Sequence, residues 1–402
     1  MQQYRDRVVR DTYINVYRVL GDLNLDGMAY ASGAGLNKTK KCLDGTRGEI
    51  LQEIVDWIHA PDVNAPRIFW LHGKAGRGES AITHTMALLS KNVRGLGSYF
   101  CFAGDRQTER RHEKMLSTIS RDLANRDPAF RRVLAKIIEE DNALKTTPDV
   151  MQQWEKLFLE PLSKVSGGIV GKVVLVIDAL DESGADSSRK HILSVLTTST
   201  QAASLPPNFR ILLTSRPLSD ITRALGNAQH VKVVSLDNVP AIFTERDIRL
   251  FVSKELGGFD DIGKREINEV THRAEDLFEW ARLACEFVKP STLGRTTEEG
   301  FNELITRASG EGAPLLDCMY RSILDNLMGK AGKTGLARFH SLMRQIPCTL
   351  KPLPMDGLHV MRKSFPHKDD HFDLAIILDF IGSLLSGVTD CTVRPSPPCL
   401  VL

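Results

Sequence analysis

Gly73-Lys74-Ala75-Gly76-Arg77-Gly78-Glu79-Ser80 follows directly on the apolar run Arg67-Ile68-Phe69-Trp70-Leu71 and leads directly into Ala81-Ile82-Thr83-His84-Thr85-Met86-Ala87-Leu88-Leu89. A strand, a glycine-rich turn and a helix form the setting in which backbone N–H groups converge on phosphate oxygens at a helix N-terminus. The phosphate-cradling pattern asks for Gly, four residues, Gly, then Lys and Ser or Thr. Gly73, Gly76, Gly78 and Ser80 suit that role, with Ala81 next in the helix, and the Ser80 hydroxyl is the candidate ligand of Mg²⁺. The lysine position holds Glu79.

That exchange reverses a charge. Two unit charges about 4 Å apart interact by roughly 4 kcal/mol at an effective dielectric near 20, so a repulsion in place of an attraction costs phosphate binding several decades of affinity. Lys74 and Arg77 flank the loop but are expected to face outward. A carboxylate in the first turn of a helix is itself favoured by about 0.3–1 kcal/mol, so Glu79 either acts as a tethered anion that competes with phosphate or points to solvent in a vestigial loop, paired with Arg77.

The second half of the pattern lies about a hundred residues on. Lys172-Val173-Val174-Leu175-Val176-Ile177-Asp178 is a continuous apolar run ending in an acid, as expected for a strand buried on both faces of a parallel sheet. Asp178 at the strand tip is the candidate Mg²⁺ carboxylate, and Asp181 and Glu182 are candidates to orient an attacking water. Thr214-Ser215-Arg216-Pro217 ends a further strand, where Arg216 is placed to read a γ-phosphate and the proline holds it extended.

Strands over 67–72, 96–102, 172–178, 209–214 and 230–236 alternate with helices over 112–125, 128–140, 149–160 and 188–198, which predicts a parallel, doubly wound sheet. Thr46-Arg47-Gly48-Glu49 matches a capping box opening a helix ahead of the first strand. From 241 onward strand signals nearly vanish, and helices are expected at 245–256, 264–289, 301–307, 315–329 and 335–346. Arg394 to Pro398 reads as an unstructured tail. Gly329 to Thr334 looks like a P-loop, but it follows no strand and lies between two expected helices, so it reads as an inter-helix turn, and His367 and His371 with their neighbouring acids read as a charged loop.

With 402 residues, 42% hydrophobic and 25% charged, the composition is that of an ordinary globular protein of two to four domains. A net charge of +2 gives no reason to expect nucleic acid or a membrane surface. Seven scattered cysteines without a CxxC pair suggest reduced thiols and a cytoplasmic location. No apolar run approaches the roughly 20 residues of a membrane span, and the start carries no secretory h-region.

The blocks Gly73 to Ser80, Ile177-Asp178-Ala179-Leu180-Asp181-Glu182 and Ile211 to Pro217 resemble the NACHT class of STAND signalling ATPases, and most closely the fungal NACHT proteins with a nephrocystin-like P-loop module. Cys42 to Arg47 and Leu277 to Cys285 share the resemblance, which spans roughly residues 35–390. It implies an α/β fold, a three-layer P-loop NTPase sheet followed by helical and winged-helix-like domains. The expected divisions are an N-terminal helical segment and linker (1–43), a NACHT P-loop domain (44–240), a helical domain (241–330), a winged-helix-like domain (331–390) and an irregular tail (391–402). It further implies ATP or GTP with Mg²⁺, a small residue (Ala179) after the metal aspartate, protein partners in a signalling assembly with self-association, and a role in innate immunity or programmed cell death. Such proteins carry an N-terminal effector domain and C-terminal repeats, and neither is expected within this chain.

Three functions remain open from the residues: a nucleotide-binding signalling switch impaired by Glu79, at most a weak NTPase; a pseudo-NTPase scaffold without turnover; and a metabolic P-loop kinase, disfavoured because no substrate or lid motif is evident.

Overall fold

The computed structural model describes residues 25–62, 64–103, 112–165, 168–184, 186–197, 205–290, 295–307, 341, 353–354, 360, 385–386 and 392–395. The chain divides into two compact units, one comprising residues 1–42, 48–73 and 79–236, the other 43–47, 74–78 and 237–402.

The first unit is built on five parallel strands, β1 (Ile68–His72), β2 (Leu96–Cys101), β3 (Val173–Asp178), β4 (Phe209–Ser215) and β5 (Val231–Ser235), in the order β2-β3-β4-β1-β5. β3 and β4 are buried along their whole length, which is why their sequences show no polar alternation. Parallel neighbours require crossovers, and helices α1 (Gly48–His59), α2 (Glu79–Asn92), α3 (Met115–Arg126), α4 (Pro128–Glu140), α5 (Asp186–Thr197) and α6 (Ser219–Leu225) lie between and around the strands. On one face Trp70, Leu175, Ile177 and Leu213 share a core with Leu123, Leu134 and Phe158. Phe69, of opposite parity on β1, packs on Trp57 of α1, so both faces are covered. This is an α/β sheet of the P-loop NTPase kind, with β4 inserted between β1 and β3.

Ahead of α1 the Thr46 hydroxyl donates to the Leu43 carbonyl, and Arg47 takes φ 61. One local expectation changes. The helix expected over 149–160 runs as Val150–Gln152, widens to a π-helix over Gln153–Leu159 and closes as Glu160–Lys164.

In the second unit the described helices are α7 (Ala241–Leu256), α8 (Lys264–Arg273), α9 (Phe278–Val288) and α10 (Thr297–Arg307). A single helix over 264–289 was the natural reading of the apolar pattern. It is broken because Glu275 (φ 43) and Asp276 (φ 67) are both left-handed, and Leu277 N–H turns back to the Ala274 carbonyl at 2.7 Å. No glycine or proline marks this turn. Further on, β6 (Leu353–Pro354) and β7 (Leu385–Ser386) flank an antiparallel β8 (Thr392–Pro395), so the segment expected to be an irregular tail contributes a strand. The expected helix at 315–329, that at 335–346 apart from residue 341, most of the winged-helix-like segment 331–390, the amphipathic start within 1–24, Gly329 to Thr334 and the His367–His371 pair lie outside the described residues. Among the described residues no helix is long and apolar enough to cross a membrane.

Candidate functional site

The carboxylate of Asp178 is the centre of the first unit's site. The residue closes β3 at full burial and receives three hydroxyls. Thr214 donates to Oδ1 at 2.5 Å, Ser80 donates to the same oxygen at 3.2 Å, and Tyr99 donates to Oδ2 at 2.9 Å. The Thr214 oxygen in turn accepts the Ala179 N–H at 3.0 Å. That bond holds Ala179 in the left-handed region (φ 57, ψ 49), where the chain turns sharply off the strand into the 3-10 turn Leu180–Glu182. β2, β4 and the first turn of α2 therefore each supply one hydroxyl to a single acid at the tip of β3. The tips of parallel strands are where α/β folds place ligands.

Ser80 lies in the exposed first turn of α2, which begins at Glu79. Ala81 follows, its carbonyl accepting the Thr85 hydroxyl at 2.8 Å. Tyr99 is 97% buried and stacks on His84 of the same helix, ring centroids 4.6 Å apart. Burial, and then the charge of Asp178, push the Tyr99 phenol well above its usual range, so it remains a donor.

Asp181 and Arg216 come together as a pair: the carboxylate accepts the Arg216 backbone N–H at 3.0 Å and faces its Nε at 3.3 Å. Buried Arg189 braces the acidic turn from behind, donating to the carbonyls of Asp181 and Gly184 while it bonds Asp220 at 2.6 Å. Glu182, half-buried, ends the same turn with its N–H on the Ala179 carbonyl at 2.9 Å.

Residues 74–78 group with the second unit, whereas Gly73, Glu79 and Ser80 belong to the first. Gly76 (φ 85) and Gly78 (φ 92) take conformations that L side chains rarely adopt, which is the physical need for glycine at both places. Arg77 does not face outward as expected. Its side chain is 12% exposed, bonds Asp237 at 3.1 Å and reaches the Asp276 carboxylate at 3.7 Å and carbonyl at 3.2 Å. The Arg47 guanidinium donates to the Arg77 carbonyl and lies 4.3 Å from the Phe278 ring centroid, and the Glu279 N–H donates to the Gly76 carbonyl.

A hydroxyl and a carboxylate in mutual contact are hard oxygen donors of the kind Mg²⁺ takes, so Ser80 and Asp178 fit that ion. Glu79 does not fit the β and γ phosphates, because it offers them charge of their own sign. Tyr99, His84 and Thr214 escaped the sequence reading as site residues. His84 alone carried a signal, standing four residues after Ser80 and hence on the same helix face.

Residues 45–216 match the family model described as Nephrocystin 3, N-terminal. No curated protein matches the chain. Among solved structures the chain is similar to the Walker-type ATPase PABY2304 of Pyrococcus abyssi, at 12% identity and a TM-score of 0.39, covering 88% of this chain and 94% of that one. A likeness of that degree leaves the fold to rest on the strand order and the residues at the strand tips.

Proposed function

We propose that this chain is a nucleotide-binding signalling module of the NACHT/STAND kind, with helical and winged-helix-like parts following the sheet, in which the metal half of the site is kept and the phosphate half is weakened. The observation that carries the reading is the buried Asp178 carboxylate with the Ser80 hydroxyl on it. Mg²⁺, when bound, would neutralise phosphate charge; Ser80 and Asp178 would hold it. Thr214 and Tyr99 fix the acid, Arg216 stands at the next strand tip for a terminal phosphate, and Asp181 or Glu182 would orient water. With Glu79 in place of lysine, binding is weak and turnover slow. The nucleotide, ATP or GTP, then biases the state of a signalling assembly made with protein partners.

A second reading, a scaffold without nucleotide turnover, is favoured by Glu79 and by the engagement of Arg77 with Asp237 and Asp276, which leaves it poorly placed to supply the missing cation. Calorimetric titration of Mg-ATP and Mg-GTP into the native chain and the Glu79→Lys variant separates the two. Detectable native binding that tightens at least about a hundredfold on reversal of the charge supports the switch. Binding by the variant alone favours the scaffold. Micromolar native binding with no gain from the variant refutes the role given to Glu79.

A further inference from the structure

We propose that Tyr99 is the positioning residue of the Asp178 carboxylate and sets the affinity of the site for its divalent cation; the inference rests on the metal-nucleotide reading above. The proton inventory carries it. The Thr83 hydroxyl donates to the Ser80 carbonyl at 2.9 Å, so its single proton is engaged and its oxygen, 3.4 Å from the phenol, is not the phenol's donor. The Tyr99 hydroxyl has one proton, and Asp178 Oδ2, an acceptor, takes it at 2.9 Å. With the phenol proton so engaged, His84 Nε2, 3.2 Å from the phenol oxygen, acts there as a donor in the tautomer protonated at Nε2. The result is a directed chain from His84 through Tyr99 to Asp178.

Its effect is geometric. Oδ1 is occupied by Thr214 and Ser80, so without Tyr99 the carboxylate is held through one oxygen and is freer to rotate about its last bond. With Tyr99 both oxygens are held, and the stacked His84 ring fixes the phenol. Groups that hydrogen-bond a metal ligand from behind typically alter metal affinity by about 10–100-fold.

The test uses the full chain in the Glu79→Lys background, with Mn²⁺ and ATP as probes. Free Mn²⁺ is followed by electron paramagnetic resonance, and ATP affinity is measured with Mn²⁺ and again in EDTA. Tyr99→Phe keeps the ring and loses the hydroxyl. The expected result is a loss of Mn²⁺ affinity of about tenfold, larger by that factor than any loss of ATP affinity in EDTA. Equal losses with and without metal, or no loss where ATP binding is metal-dependent, overturn the positioning role and leave the nucleotide reading standing. Absence of Mn²⁺-dependent ATP binding in the Glu79→Lys background overturns both. Should Tyr99→Phe fail to fold, His84→Phe retains a stacked ring and removes the donor to the phenol. A smaller loss of Mn²⁺ affinity in the same direction then supports the chain, and no loss refutes it.

Discussion

Asp181 holds Arg216 at two points, its backbone N–H at 3.0 Å and its guanidinium Nε at 3.3 Å. The acid side chain is 8% exposed and the arginine side chain 46%, so the two contacts differ in worth. The bond to the backbone fixes where β4 ends. The contact to the guanidinium is largely screened by water.

Asp181→Ala is accordingly expected to lower stability by about 1 kcal/mol, and Arg216→Ala by less than half of that. Urea denaturation of both variants provides the comparison. Equal costs would show that the ion pair, and not the backbone bond, is what matters.

Thr214 serves two partners with one oxygen. Thr214→Val preserves shape but strands the Ala179 N–H and removes the shortest bond to Asp178, at an expected cost of about 1–3 kcal/mol. Thr214→Ser should recover most of it. A valine variant as stable as the parent would show that Ala179 holds its left-handed turn without help.

Gly97 leaves no room for a side chain on β2. A Cβ there would stand 2.7 Å from both Leu175 Cδ2 and Val173 Cγ1 and 3.2 Å from Leu123 Cδ2, all inside the packed core. Gly97→Ala should cost about 1–3 kcal/mol through overpacking. A thermal midpoint unchanged by the substitution would contradict the packing.

Alkaline pH should weaken the fold in a direction set by two buried groups. Burial, then the charge of Glu255, pushes the Cys285 thiol up from 9.0 to about 12, and the Tyr99 phenol is likewise raised by burial and Asp178. The folded chain keeps protons that the unfolded chain releases. Stability from Cys285 is therefore intact below about pH 9 and is lost as pH climbs from there toward about 12. Urea midpoints of the parent and Cys285→Ala, measured between about pH 8 and 10.5, should converge as pH rises, because the variant lacks that proton. Parallel curves would refute the assignment.

The five strands were legible because β1, β3 and β4 are apolar on both faces, a pattern that only a covered parallel sheet requires. Ser80 and Asp178 were legible because their chemistry sits at fixed offsets from a strand and a helix. Tyr99 and Thr214 were not, since each reaches Asp178 from a neighbouring strand whose local sequence resembles ordinary core, and Arg189 was not, since it stands in the following helix like any other helical residue. The break at Glu275-Asp276 escaped for a related reason: left-handed residues are usually announced by glycine, and here the turn is held by tertiary contacts such as that of Arg77 to Asp276.

The second unit is discontinuous in sequence, collecting Leu43–Arg47 and Lys74–Gly78 from among the segments of the first. A fragment ending at Leu236 would keep Arg47 and Arg77 but lose Asp247, which accepts the Arg47 N–H at 2.8 Å, and Asp237 and Asp276, which hold the Arg77 side chain. No single scission of the polypeptide separates the two units intact. Proteolytic dissection or piecewise expression would leave the glycine loop without the anchors that Asp237, Asp276 and Glu279 give it, and binding measured on such pieces would not report on the loop of the whole chain.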